Sequence, residues 1–382
     1  MSRPKGTILQ IIPRLEVGGA ERAAVDVSAA LVAADYRSLV ISAGGPLVTT
    51  LERSGAEHFQ WDVASRSPSA IWRNRQRLID FINTEHVDVV HARSRAPAWS
   101  AYLATRRLSS PFVTTFHNAY SGKSAPKKFY NSVMARGTRI IAISRFIAEH
   151  IRTQYHAAAD RIVLIPRGTD FTVFDPEAVT AERKRDFLER HSVPSNVPLI
   201  IIPARMSPTK CHELALSALG RLRHISFFCL VIGPDQGRDA YRRHLISLVK
   251  KLGLETKVCF VEQTDLIAAF AVADLVLSLS QKLEGFGRVP VEAQAMGVPV
   301  IATAIGATSE NMLNGETGWL VPVGDVQALA DAIARGLALG PRQRSEMAQK
   351  AMTYVRARFD VKQMCAATID VYASLLPPLA LR

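Results

Sequence analysis

Short apolar runs recur along the chain, and the stretches between them space their apolar positions at helical intervals. Runs at 8–12, 38–42, 87–91, 112–116, 139–143 and 162–165 predict strands, with helices over 20–32, 71–83 and 96–106. Near-continuous apolar strands separated by helices mark a parallel sheet covered on both faces. The segment 174–198 breaks the pattern with Asp175-Pro176, a charged helix and Pro194-Ser-Asn-Val-Pro198. The pattern then restarts, with strands predicted at 199–202, 227–232, 258–261, 275–279 and 298–302. Two doubly wound α/β domains follow, 1–180 and 181–357, with the stretch 341–376 harder to assign. Open parallel sheets bind ligands beyond the carboxyl ends of their strands, so two such domains facing each other would form a cleft.

Composition narrows the function. The 382 residues are 48% hydrophobic and 21% charged, enough for two soluble cores. A formal net charge of +13, carried more by the first half than the second, suits nucleotides, phosphate-bearing acceptors or anionic lipid; it also suits a plain solubility charge. The charge is dispersed and no nucleic-acid-binding module is recognisable, so nucleic acid is not an expected partner. Cys211, Cys229, Cys259 and Cys365 are scattered, without zinc-ligand spacing, and fit a reducing compartment. No secretory leader or membrane span is legible, so a cytoplasmic location is expected, with peripheral contact on the inner face of the membrane left open. Arg73-Asn-Arg75-Gln-Arg77 beside Trp72, and Lys123 to Tyr130 with Lys127, Lys128 and Phe129, are either anionic-membrane contacts or solvated faces.

Four constellations sit where strands end. Gly18-Gly19-Ala20-Glu21 follows the first strand and opens a helix, as a phosphate or sugar contact or as a plain tight turn. His91 with Arg93 and Arg95, and His117, lie at the carboxyl ends of two apolar strands, so they form either a polar site or structural histidines. Arg205 and Lys210 lie on the loop after the first strand of the second half. Two cations beside a helix start would hold a diphosphate without a metal, unless they are simply solvated. Glu284-Gly285-Phe286-Gly287 precedes a helix carrying Glu292. Such backbone amides and carboxylates suit sugar or ribose hydroxyls, and the apolar neighbours of Glu292 suggest burial.

From Glu284 to Val300 the chain resembles the E-G-F-G-x-x-x-x-E-A-x-A-x-G-x-P-V hallmark of retaining glycosyltransferases of the GT-B fold, family four. The resemblance spans nearly the whole chain, taking in Gly18-Gly19-Ala20-Glu21, His117, Arg205 with Lys210, and Arg167-Gly-Thr-Asp170. It implies that Arg205 and Lys210 bind the donor diphosphate, Glu292 the ribose, and Glu284 with Gly285, Phe286 and Gly287 the transferred sugar. Gly18 and Gly19 join the donor set, Glu21, His91 and Arg93 face the acceptor, and His117 orients groups at the reacting centre. His117, Glu284, Arg205 and Lys210 are then the catalytic set.

The last helix, about 358–382, would return to the first domain. Two glycines usual beside the paired cations are replaced, as Ala204 and Cys211, and Arg167 stands at the usual Asn position. No D-x-D metal motif occurs, so neither metal nor cofactor is expected: the nucleotide sugar is a substrate. The resemblance implies same-face transfer with retention, the leaving phosphate helping to deprotonate the acceptor. The Gly287-Arg-Val-Pro-Val-Glu-Ala-Gln-Ala form resembles lipopolysaccharide-core transferases, mannosyltransferases included, which implies a hexose and a glycan or lipid-linked acceptor. A sugar-nucleotide epimerase or an inactive sugar-nucleotide binder are the alternatives.

Overall fold

The computed structural model describes residues 4–120, 122 and 124–377, so Lys123 lies outside it. The chain divides into two compact units. The first runs to Gly168 and takes in the residues from Val361 onward; the second is Thr169–Asp360.

In the first unit the strands are β1 (Thr7–Ile11), β2 (Arg37–Ser42), β3 (Glu57–Gln60), β4 (Val89–Ala92), β5 (Phe112–Phe116), β6 (Arg139–Ala142) and β7 (Ile162–Leu164). They form one parallel sheet in the order β3-β2-β1-β4-β5-β6-β7. The order reverses between β1 and β4, where Gln10 lies in register with His91. Helix α1 (Gly19–Ala33) follows β1 directly. Its Ala-rich sequence carries little entropic cost in a helix, and it buries Ala23, Val27 and Leu31. Further helices are α2 (Val48–Arg53), α3 (Pro68–Thr84), α4 (Arg95–Leu108), α5 (Ala125–Ser132) and α6 (Arg145–Tyr155).

In the second unit the strands are β8 (Leu199–Pro203), β9 (Phe228–Ile232), β10 (Val258–Val261), β11 (Leu275–Ser278), β12 (Val300–Thr303) and β13 (Gly318–Val321). The sheet order is β10-β9-β8-β11-β12-β13, again parallel, with its switch between β8 and β11. The helices are α7 (Ala181–Arg190), α8 (His212–Arg221), α9 (Asp239–Lys251), α10 (Leu266–Val272), α11 (Arg288–Ala295), α12 (Val326–Leu337) and α13 (Pro341–Arg356). Side chains alternate across the sheet. Ile200 and Ile202 join a core with α8, α9 and α12, whereas Leu199 and Ile201 join one with α7, α10 and α11.

The helix α14 (Val361–Ala373) belongs to the first unit, where Met364, Cys365, Val371 and Tyr372 pack with Ala23, Val27 and Leu31 of α1. Burial of side chains such as Met364 and Val371 contributes roughly 1.5–3 kcal/mol each. The first boundary falls at Gly168 rather than near 180. The segment after it is held by the second core: Phe174 packs on Phe270, 6.3 Å between ring centroids, and Val179 is buried with Phe187. Asp175 also pairs with Arg356 at 3.6 Å.

Candidate functional site

In the second unit, two loops meet at the switch point. The loop after β8 carries Arg205 and ends in a short turn at Lys210; the loop after β11 carries Gln281 to Gly287. They are tied together by backbone: the Gln281 amide donates to the Thr209 carbonyl at 3.1 Å, and the Gln281 side chain to the Pro208 carbonyl at 3.1 Å. Across this tie Lys210 Nζ donates to Glu284 Oε1 at 2.6 Å. Arg205 is exposed and has no ion-pair partner among the described residues. Glu284 is held by its main chain, its carbonyl accepting from the Ala307 amide at 2.9 Å. Gly306, at φ +59°, lets that approach happen, since a Cβ there would lie 2.4 Å from the Glu284 carbonyl oxygen.

Gly285 and Phe286 are buried, and the Phe286 ring meets Phe359 edge-on at 5.3 Å. The Asn311 amide donates to the carbonyls of Phe286 and Gly287. Gln294 in turn donates to the Asn311 carbonyl at 2.8 Å and to Pro290 at 2.9 Å. This clamp fixes Gly287, the residue that caps α11 at φ +81°. The first N–H groups of such a helix have no intrahelical acceptor and favour an anion. Glu292, one turn inside α11, is 4% exposed and pairs with Arg288 Nη2 at 2.5 Å. Carbohydrate-type acceptors, an unpartnered cation and a helix start are thus gathered on one strand-end edge.

In the first unit, Gly18 is the extended residue ahead of α1, and Gly19 begins it. Glu21 turns back over Gly18: a Cβ there would lie 2.2 Å from Glu21 Oε2, so any other residue would displace that carboxylate. His91 differs from the expectation of an acceptor contact. It is fully buried, with Nδ1 bonded to the Tyr372 hydroxyl at 2.6 Å and Nε2 to Thr115 Oγ1 at 2.8 Å. Both ring nitrogens are used, because β4 is a central strand flanked by β1 and β5. Burial, and then the charge of Arg93, hold its pKa well below the ordinary value. Arg93 is also buried rather than exposed at an edge. Its Nε donates to Gln10 Oε1 at 2.5 Å, and its Nη2 has no hydrogen-bond partner among the described residues.

His117 ends β5. Arg167 Nη2 bonds its Nδ1 at 3.0 Å, while its buried Nε2 has no partner among the described residues. Burial depresses its pKa well below the ordinary value, helped by Arg167, Arg93 and His91. The ring lines a cavity of about 20 Å³ with Arg93, Thr115, Arg167 and Thr368. That is room for about one water-sized oxygen. Gln10, Thr115, Asn311 and Gln294 were not singled out in the sequence. Gln10 and Thr115 left a signal, as polar residues inside apolar strands.

The chain is similar to known proteins. A model described as Glycosyl transferases group 1 matches residues 183–354, and one described as Glycosyltransferase Family 4 matches residues 17–173. A D-inositol 3-phosphate glycosyltransferase of Xylanimonas cellulosilytica is 32% identical over 302 residues, 75% of this chain and 72% of the relative. The crystal structure of a glycosyltransferase from Rickettsia africae is 34% identical, with TM-score 0.91 over 97% of this chain and 98% of that one. Anabaena Alr3699/HepE in complex with UDP-glucose is 22% identical, with TM-score 0.83 over 97% and 100% of the two chains, and shows the shared fold.

Proposed function

Because this chain belongs to the glycosyl transferases of group 1 and family 4, and is thus a nucleotide-sugar glycosyltransferase of the GT-B type, we propose that it moves a hexose, with retention, to a glycan or lipid-linked acceptor in cell-envelope polysaccharide synthesis, lipopolysaccharide core included. The observation that carries the reading is the meeting of Lys210 with Glu284, separated by 74 positions, beside Arg205 and the start of α11. A nucleoside diphosphate brings negative charge to Arg205 and Lys210, and the helix amides share it. The hexose hydroxyls then donate to Glu284, released from Lys210, and the ribose hydroxyls to Glu292. Cations that hold the diphosphate also stabilise it as the glycosidic bond breaks. No metal or cofactor enters this scheme. In this reading His117, a residue of the first unit, acts as a neutral donor to the reacting sugar, and the leaving phosphate takes the acceptor proton.

A phosphorylated polyol is a second acceptor class, favoured by the relatives named for D-inositol 3-phosphate and by the net charge of +13. The reaction belongs on the cytoplasmic side. Among the described residues no helix is long and apolar enough to cross a membrane. Trp72 and Phe129, 64% and 62% exposed, are the apolar part of a cationic face of the first unit suited to anionic headgroups.

The test is a thermal-shift screen with UDP-, GDP- and ADP-hexoses in chelator. One donor class should raise the melting temperature, and Arg205→Ala/Lys210→Ala should abolish the rise. A rise that survives the double substitution refutes the diphosphate seat. Nucleotide release that needs no acceptor would instead favour an epimerase, and binding without any release an inactive binder.

A further inference from the structure

Arg167 occupies a position the expected site did not use, and its contact with His117 has a single polarity. A guanidinium has N–H donors and no lone pair, so the 3.0 Å contact requires Nδ1 to accept. A histidine nitrogen that accepts carries no proton, so in the neutral ring the proton resides on Nε2. That nitrogen is buried and has no partner among the described residues.

We propose that Arg167 is a positioning residue that locks His117 into the Nε2–H tautomer, so that the ring offers a donor, never a lone pair, to an oxygen of the substrate. Among the described residues, the charged and titratable groups acting on the ring are Arg167, Arg93 and His91, with the Tyr120 hydroxyl bonded to its main chain. All of these are cationic or neutral, so nothing named here favours a charged imidazolium. Arg93, whose Nη2 is also buried without a hydrogen-bond partner among the described residues, lines the same small cavity. The two donors together suit a ligand oxygen rich in lone pairs, a sugar hydroxyl or a phosphate oxygen.

This rests on the reading of His117 as facing the reacting sugar, and the test separates the two. Long-range 15N–1H spectra of labelled protein, with His117 assigned by its loss in His117→Gln, report the tautomer without any substrate. The wild type should show Nε2–H from about pH 5.5 to 8. Arg167→Lys, which keeps a cationic donor, should preserve that pattern. Arg167→Met should mix the tautomers and move the titration up toward the ordinary histidine range.

The kinetic arm follows hydrolysis of whichever UDP-, GDP- or ADP-hexose stabilises the protein. In Arg167→Met, kcat should fall about tenfold or more with KM changed less than about twofold, and Arg167→Lys should recover most of it. An Nδ1–H ring in the wild type, or an unaltered ring in Arg167→Met, overturns the proposal. An altered ring with undiminished kcat overturns the positioning role. Full activity in His117→Gln refutes the placement of His117 at the sugar.

Discussion

Lys210 Nζ and Glu284 Oε1 stand 2.6 Å apart, and each side chain is only about a quarter exposed, 27% and 26%. Without a donor the two groups neutralise each other. In the proposed reaction, donor binding would exchange partners, Lys210 turning to phosphate and Glu284 to sugar hydroxyls. The resting pair keeps both groups ordered and ready for that exchange.

Lys210→Ala should therefore act twice. It removes a charged contact to the diphosphate, about 1.5–3 kcal/mol, so calorimetry should show donor binding weakened roughly ten- to a hundredfold. It also strands Glu284, so stability should fall by about 1 kcal/mol. Glu284→Gln should cost less binding to the bare nucleoside diphosphate than to the nucleotide sugar, since it meets only the sugar. Equal losses for both ligands would refute that division of labour.

Glu292 and Arg288 form an unequal pair, the carboxylate 5% exposed and the guanidinium 39%. Arg288→Ala leaves a buried carboxylate without its partner, and stability should drop by about 1–3 kcal/mol. Glu292→Gln leaves a guanidinium that reaches water, so urea unfolding should register a smaller loss. Yet if the carboxylate accepts from the ribose as proposed, Glu292→Gln should weaken nucleotide binding more. The opposite ranking in either assay would disprove the assignment.

The two buried histidines set a pH dependence. His91 and His117 both have folded-state pKa values well below the ordinary 6.5, through burial first. The unfolded chain therefore binds protons that the folded one refuses. Stability is full above about pH 7 and declines as pH falls below the ordinary histidine value. The slope is about 1.4 kcal/mol per pH unit for each histidine. His58, His150, His191 and His212, also held low by burial, add to it. Melting temperatures between pH 7.5 and 5.5 should show the slope, and His117→Gln should make it measurably shallower without removing it. An identical slope in that variant would mean that His117 charges freely in the folded protein.

Much of the fold was legible because central parallel strands are apolar on both faces. The runs at 8–12, 112–116 and 199–202 coincide closely with β1, β5 and β8. Two edge strands escaped: β3 reads Glu-His-Phe-Gln, and β13 starts at Gly318 after a turn. One side of an edge strand faces solvent, so the β3 sequence need not be apolar, whereas β13, Gly-Trp-Leu-Val, is apolar and largely buried but only four residues long. The second-unit cluster could be singled out in the sequence since Arg205, Lys210, Glu284 and Gly285 to Gly287 lie in two short loops and Glu292 in the helix that follows. His91 and His117 look alike in sequence, each ending an apolar run. Only the fold distinguishes them, since Tyr372 arrives from 281 positions away to bond His91, whereas Arg167 bonds His117. Asn311, which clamps the Phe286 and Gly287 carbonyls from a distant loop, left no local pattern at all.

The exposed aromatics of the first unit give the last prediction. Ser100 of α4 donates to the Ile71 carbonyl of α3, and Trp99 of α4 to the Tyr130 carbonyl of α5, so both helices pack on α4. Arg75 stacks on Trp72 at 4.6 Å, Arg136 lies 5.8 Å from the Phe129 ring, and Arg66 sits over Tyr130 at 5.9 Å. Cations held against the exposed Trp72 and Phe129 rings suit an interface with apolar depth and anionic heads. Vesicles containing phosphatidylglycerol should therefore sediment the protein at low salt and release it at high salt. Each cation near the surface contributes about 1 kcal/mol. Trp72→Ala/Phe129→Ala should weaken binding at every salt concentration, whereas Lys127→Ala/Lys128→Ala should weaken it chiefly at low salt. The aromatic loss is independent of ionic strength because it removes insertion, not attraction. Were both double variants to bind anionic vesicles as the wild type does, this face would be a solvated surface and nothing more.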